Sequence, residues 1–458
     1  MIFDTGEKRI NWMSSVWFWN VTIALLILLG TRSSVFTLLA LGLGAVGIVA
    51  FDTGKILCIM FFALPFSTIF KLSAGTSFFT YWELLFTIMY FVKKNFRCTR
   101  REIGIFLFTL FLAANQCLHG TLDVTMTLKF FSYLIILTAI ANYSFEDENK
   151  TVFLCYITGY IMSSFSMLLD GVLFNVRPYV NVKLERVNGE YITRFAGLYG
   201  DPNYYVVNII ISMVLLVILF GKKQIRFVHA AILMIPLVVF TAMTGSKSGL
   251  LMLAPVAAFF IYQCFVRRHY FFGVLSTILA GVAAVMIFSG EIELFSKVLA
   301  RLFNGSGGLT SGRAESKWNL YLNYFGENPI RLIFGKSIAF FDLDGAVAHN
   351  TYIDLLYELG VVGTVWLLMI IGRVHFPAVK IDRNLLNYSL ILVIAVMYFF
   401  LSELQYFDPT FHIALAILVF NMDMRGSTCR EMKNKCRCMA GDNVAVLTFH
   451  SRRGGFLK

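Results

Sequence analysis

Apolar residues in this chain run in long blocks, most of them roughly 16–22 residues, separated by short polar turns. A bilayer core needs about 20 residues of helix, so these blocks predict membrane-spanning helices. A membrane β-barrel would alternate polar and apolar positions over about ten residues, a different pattern. Fourteen blocks can be drawn: 13–30, 35–51, 56–70, 78–92, 103–119, 126–143, 151–175, 203–220, 227–243, 248–266, 270–288, 351–372, 386–402 and 410–421. The third, fourth and last are short, so about 12–14 transmembrane helices are expected. The predicted fold class is an all-α polytopic membrane protein. Residues 1–421 form one transmembrane domain, and 422–458 form a basic tail expected to be cytoplasmic and flexible. The first block follows Lys8 and Arg9 as a signal peptide would. It lacks a small-x-small cleavage site and a second block follows at once, so it reads as an uncleaved anchor.

Composition strengthens this reading. The chain is 58% hydrophobic and 14% charged, with mean hydropathy +0.72. Soluble chains run at about 45–50% apolar and about 25% charged. A soluble enzyme fold of 458 residues could not hide that much apolar surface, and disorder is excluded by the same excess.

The formal charge of +12 does not imply nucleic acid. The last 37 residues hold eight Lys/Arg against three acids. Much of the remainder follows the positive-inside rule. Lys93, Lys94, Arg97, Arg100 and Arg101 share one turn; Lys222, Lys223 and Arg226 a second; Arg267 and Arg268 a third; Arg373, Lys380 and Arg383 a fourth. With the N-terminus, Lys55 and Lys150 they place 17 Lys/Arg on one side, against Arg32, Lys71 and Lys247 in the short opposite turns. Both termini are therefore expected in the cytoplasm.

Two segments on the outer side are long enough to carry chemistry, 176–202 and 289–350. No cysteine falls in either, so no disulfide framework is expected there. In the larger loop, Ile292, Phe295, Val298, Leu299 and Leu302 recur at helical spacing over 291–302, which predicts a short interfacial helix. Asn304–Gly308 reads as a hinge. A second helix is expected over 312–326, with Trp318, Tyr321, Leu322 and Phe325 as its apolar face and Asn328-Pro329 as its stop. The loop carries six basic and six acidic residues, so individual arginines must be argued singly.

Arg194 and Arg313 are planar, permanently charged forks that match phosphate oxygens; pairing with nearby carboxylates or headgroups is the plainer alternative. His349 stands just before the helix at 351–372, where the dipole disfavours imidazolium and leaves a ring able to accept a proton; capping or packing is the alternative. Asn350 or Thr351 would cap that helix. Glu358, nine residues on, is about 13 Å deeper and reads as a structural hydrogen-bonder. Weaker signals carry less. Asp342-Leu-Asp344 fits a turn at Gly345 as well as a metal site. Gly245–Gly249 lacks the strand and spacing of a phosphate loop. Cys429, Cys436 and Cys438 fit no zinc pattern.

Four stretches in order resemble the bacterial O-antigen polymerase/O-antigen ligase superfamily of membrane glycosyltransferases (Wzy-like). They are Arg194-Phe-Ala-Gly-Leu-Tyr-Gly-Asp-Pro-Asn203; Thr244–Gly249; Ser311-Gly-Arg313 with Trp318, Asn328-Pro329 and Phe334-Gly335; and Ala348-His-Asn-Thr-Tyr352 with Glu358-Leu-Gly360 and Gly363. The likeness covers about 190–370; Lys247 and Asp201 depart from the family's usual residues. The resemblance implies a class C-like, all-helical, metal-independent enzyme without a cofactor in the bacterial cytoplasmic membrane. Its donor is an undecaprenyl-pyrophosphate-linked glycan, and an acceptor sugar hydroxyl attacks at the outer face. By carry-over, Arg194 and Arg313 bind pyrophosphate and His349 activates the acceptor. Lys317, Lys336, Asn203, Tyr204, Trp318 and Asn350 are further substrate-contact candidates. Expected partners are the lipid-linked donor and acceptor, membrane lipids, a chain-length regulator and a flippase, and no nucleic acid. A polymerase of O-antigen, capsule or exopolysaccharide is favoured. A ligase transferring glycan to lipid A-core is the alternative. A lipid-glycan flippase is the reading of another class, disfavoured because no repeat links the two halves and the spans carry few charges.

Overall fold

The computed structural model describes residues 5–72, 76–143, 149–180, 184–187, 190–289, 317–338 and 350–375, together with Leu343 and Ala348. Its helices are α1 (Thr5–Gly30), α2 (Ser34–Ala50), α3 (Thr53–Ala63), α4 (Phe78–Lys93), α5 (Arg100–Leu118), α6 (Val124–Tyr143), α7 (Asn149–Leu168), α8 (Pro202–Gly221), α9 (Phe227–Met243), α10 (Lys247–Val266), α11 (Tyr270–Phe288), α12 (Asn319–Glu327), α13 (Pro329–Phe334) and α14 (Thr351–His375). Twelve of the fourteen expected spans coincide with a helix, namely α1–α11 and α14. The blocks 386–402 and 410–421 and the tail 422–458 lie outside the described residues, as does the expected helix over 291–302. Five described helices are long and apolar enough to cross a membrane: α5, α7 from Lys150, α8, α10 and α14 as far as Ile370. Shorter apolar helical stretches are Val16–Gly30 within α1, α2, Thr53–Phe66, Val124–Ile140, α9 and Tyr270–Ala283.

α8 is the hub. Every residue from Tyr205 to Phe220 is buried, which explains why this stretch is apolar on all sides. It packs against α7, α9 and α10, and α7 in turn carries α3. Gly159 permits that last approach: a Cβ there would overlap the carbonyl of Phe62. α14 docks on α5 and α6.

Short turns between consecutive helices make neighbours antiparallel and sort the connections into two ends. At the basic end, Lys93 Nζ donates to the Ile48 carbonyl at 3.2 Å and also reaches that of Phe51. There Thr99 and Glu102 form a reciprocal capping box at the start of α5, and Tyr90 donates to Glu102 at 2.7 Å. At the opposite end, Thr31 Oγ1 accepts from the Asn175 amide at 3.1 Å, and Thr68 Oγ1 donates to the Leu198 carbonyl at 2.6 Å. Segments that the charge pattern assigns to one side thus meet one another.

One expectation needs correction. The seventh block does not run to 175: α7 ends at Leu168 and the chain turns at Gly171 (φ +77°). Asp170 holds that turn, accepting from the Val176 amide at 2.7 Å and pairing with Arg177 at 3.0 Å. Hydropathy extended the block because Val172 and Leu173 are apolar yet exposed. Segment 176–202 also carries a short hairpin. β1 (Leu184–Val187) pairs antiparallel with β2 (Glu190–Thr193), Leu184 opposite Thr193 and Val187 opposite Glu190.

Candidate functional site

The first two motif stretches fold onto each other beside the start of α8. Gly197 (φ +52°) and Gly200 (φ +74°) turn the chain back through conformations that suit glycine. Asp201 then caps α8, its carboxylate accepting from the Asn203 amide at 2.8 Å, with Pro202 at the first helical position. The turn between α9 and α10 arrives alongside. Arg194 Nε donates to the Thr244 carbonyl at 2.8 Å, and its Nη2 approaches Asn203 Oδ1 at 3.5 Å. Ser246 donates to the same Asn203 oxygen at 3.1 Å and shares a hydrogen bond with Ser248 at 3.0 Å. Arg194 therefore braces two loops as well as presenting charge. Burial pulls its guanidinium below the ordinary arginine value, and the nearby Asp201 opposes that pull. Tyr204 sits at the rim, partly buried, with its carbonyl accepting from Asn208 at 2.9 Å.

The last two stretches fold onto each other beside the end of α5. Trp318 Nε1 donates to the Ala348 carbonyl at 2.9 Å. Tyr321 and Phe325 are the buried face of α12, whereas Leu322, expected on that face, is exposed. α12 ends at Glu327, where Asn328-Pro329 was expected to stop it, and Pro329 also opens α13. The segment after Gly335 runs against α14: the Lys336 amide donates to the Tyr357 carbonyl at 2.7 Å, and the Ser337 amide to that of Glu358 at 3.1 Å. Lys336 Nζ lies 5.5 Å from the centre of the Tyr357 ring. Asn350 caps α14, its side chain accepting from the amides of Tyr352 at 3.0 Å and Ile353 at 3.3 Å. Glu358 is buried just before α14 kinks at Gly360 (φ +67°).

Of the nine candidate residues, Arg194, Asn203 and Tyr204 belong to the first group, and Trp318, Lys336 and Asn350 to the second. Lys317 is partly buried in the turn that leads into α12. Arg313 and His349 lie outside the described residues, as do Asp342 and Asp344. Compared with known proteins, the chain matches no family model, no curated protein and no solved structure.

One cavity lies at residues outside the four motif stretches' candidate set. A groove of about 650 Å³ runs between the end of α5 and the α12–α13 break. It is lined by Phe111, Leu118 and His119 on one side and Glu327, Arg331 and Phe334 on the other. The signal available in sequence was a histidine directly ending an apolar block, and an arginine two residues after the helix-stopping proline.

Proposed function

We propose that this protein is a polysaccharide polymerase of the cytoplasmic membrane. It transfers an undecaprenyl-pyrophosphate-linked glycan onto an acceptor sugar hydroxyl at the outer face. The observation that supports this reading most is the pairing of the four motif stretches. Segments 43–50 residues apart close on each other at 194–203 with 244–248, and segments 21–30 residues apart at 318–337 with 348–360, each beside the end of a long apolar helix. Such a placement suits a substrate with a hydrocarbon anchor and a polar head.

In the proposed reaction the acceptor oxygen attacks the anomeric carbon and the lipid pyrophosphate departs. Arginines stabilise the leaving group and a histidine takes the acceptor proton. Arg194 is braced by Thr244 and Asn203 and would offer the leaving group a fixed charge. Arg313 and His349 are assigned from the resemblance. The test is in vitro chain growth by purified protein on lipid-linked repeat units, with and without EDTA. EDTA-resistant growth that is lost in Arg313→Ala and in His349→Ala is expected. Full activity in both variants would sink the assignment.

A further inference from the structure

We infer that the groove beside His119 is a carbohydrate subsite, in which a sugar hydroxyl donates a hydrogen bond to His119 Nε2. His119 ends α5, and its Nδ1 lies 2.7 Å from the Asn115 carbonyl oxygen. A carbonyl only accepts, so Nδ1 carries the hydrogen, and the neutral tautomer that this bond selects presents a lone pair at Nε2. That Nε2 is shut off from solvent and has no hydrogen-bond partner among the described residues. A buried acceptor left unmet carries a desolvation cost, which a donor arriving through the groove would remove.

The rest of the lining narrows the donor to a neutral polyhydroxylated ligand. Arg331 and Glu327 both face the cavity, and neither makes an ion pair among the described residues. Their opposite charges leave the groove without a net field for a phosphate, while a carboxylate and a guanidinium can each bridge two neighbouring hydroxyls. Phe111, Ile330 and Phe334 supply apolar walls for the C–H faces of a sugar ring. The far wall is preformed, because Asn115 Nδ2 donates to the Phe334 carbonyl at 2.8 Å and ties α13 to α5. Ile330 is 71% exposed at the edge of this lining. The choice of carbohydrate among polyols rests on the glycan-polymerase reading, whereas the orphaned acceptor stands independently of it.

The experiment is saturation-transfer NMR on the full chain in lipid nanodiscs. The probes are four trisaccharides built from glucose, galactose, mannose or N-acetylglucosamine. At least one should receive saturation, and His119→Phe should cut that signal at least fivefold. His119→Gln, which keeps an acceptor at the ε position, should retain more than half of it. Arg331→Ala should weaken it without changing the folded fraction, which guards against a misfolded phenylalanine variant. No transfer to any trisaccharide, or equal transfer in wild type and His119→Phe, overturns the subsite. Chain growth is not part of this readout, so failure of the polymerase reading would be seen separately.

Discussion

Gly335 and Gly360 lie backbone against backbone: a Cβ on either would overlap main-chain atoms around the other. Both take φ near +70° with ψ close to ±180°, a region essentially reserved for glycine. Their contact lets the segment after α13 lay two amides on the carbonyls of Tyr357 and Glu358, just before the kink in α14. The segment after α13 is thereby welded to α14 at a point where that helix's own hydrogen-bond ladder is interrupted.

Gly360→Ala is expected to destabilise the protein by more than the roughly 1–3 kcal/mol of backbone strain alone, because overlap with Gly335 adds to it. Gly281→Ala is the control: α11 leaves open space at that position, so a gain of up to about 1 kcal/mol is expected there. Thermal unfolding in detergent, followed by size-exclusion of the folded fraction, separates the two. A Gly360→Ala midpoint equal to wild type would contradict the weld.

Asn350 tests capping against ligand contact. Alanine removes the acceptor for the Tyr352 and Ile353 amides and should cost about 1 kcal/mol, whereas aspartate keeps the cap. Chain growth by Asn350→Asp close to wild type, with an unchanged melting temperature, is the expected result. Loss of growth in a variant that melts normally would instead place Asn350 against substrate.

Arg194 reaches the Thr244 carbonyl through Nε and Asn203 through Nη2, a division of labour that needs a planar fork. Lysine offers one cationic centre, so Arg194→Lys should lower chain growth at least about tenfold, equivalent to about 1.4 kcal/mol in the transition state. Ser246→Ala removes only one hydroxyl from Asn203 Oδ1 and should cost no more than the usual 0.5–1.5 kcal/mol of a neutral hydrogen bond, roughly a few-fold in rate. Steady-state rates on lipid-linked repeat units rank the two. Equal effects would mean that Arg194 does no more than tie the loops together.

Much of the bundle was legible because a span is set by local composition. The run from Tyr205 to Phe220 is apolar on every side and is buried on every side. Reading failed where composition and conformation separate. Val172 and Leu173 look like membrane residues, yet they sit in a turn held by Asp170, a tertiary contact with no local signature. The hairpin left a trace in Asn188-Gly189 between two short β-prone runs, a signal far shorter than the apolar blocks around it. At the site, the motif residues were visible but their roles were not. Arg194 looks the same in sequence whether it faces a phosphate or the carbonyl of Thr244, fifty residues away. His119 had no motif around it, and its orphaned nitrogen exists only because Asn115 fixes the ring from the preceding turn.

Orientation offers a direct test, because the proposed reaction requires the motif end to face outward. Cys98 is exposed in the basic turn between α4 and α5, and Leu322 is exposed on α12 near the opposite end. In cells carrying a variant whose only cysteine is Cys98, a membrane-impermeant maleimide should label nothing until the membrane is permeabilised. In a cysteine-free background, Leu322→Cys should label at once from outside. Such labelling follows from the bias of Lys93, Lys94, Arg97, Arg100 and Arg101 toward the cytoplasm. It also follows from the Thr121–Ser337 contact at 3.4 Å, which puts the α12–α14 assembly at the far end of α5 from that cluster. The reverse pattern would put both motif groups in the cytoplasm, where the outer-face reaction could not use them.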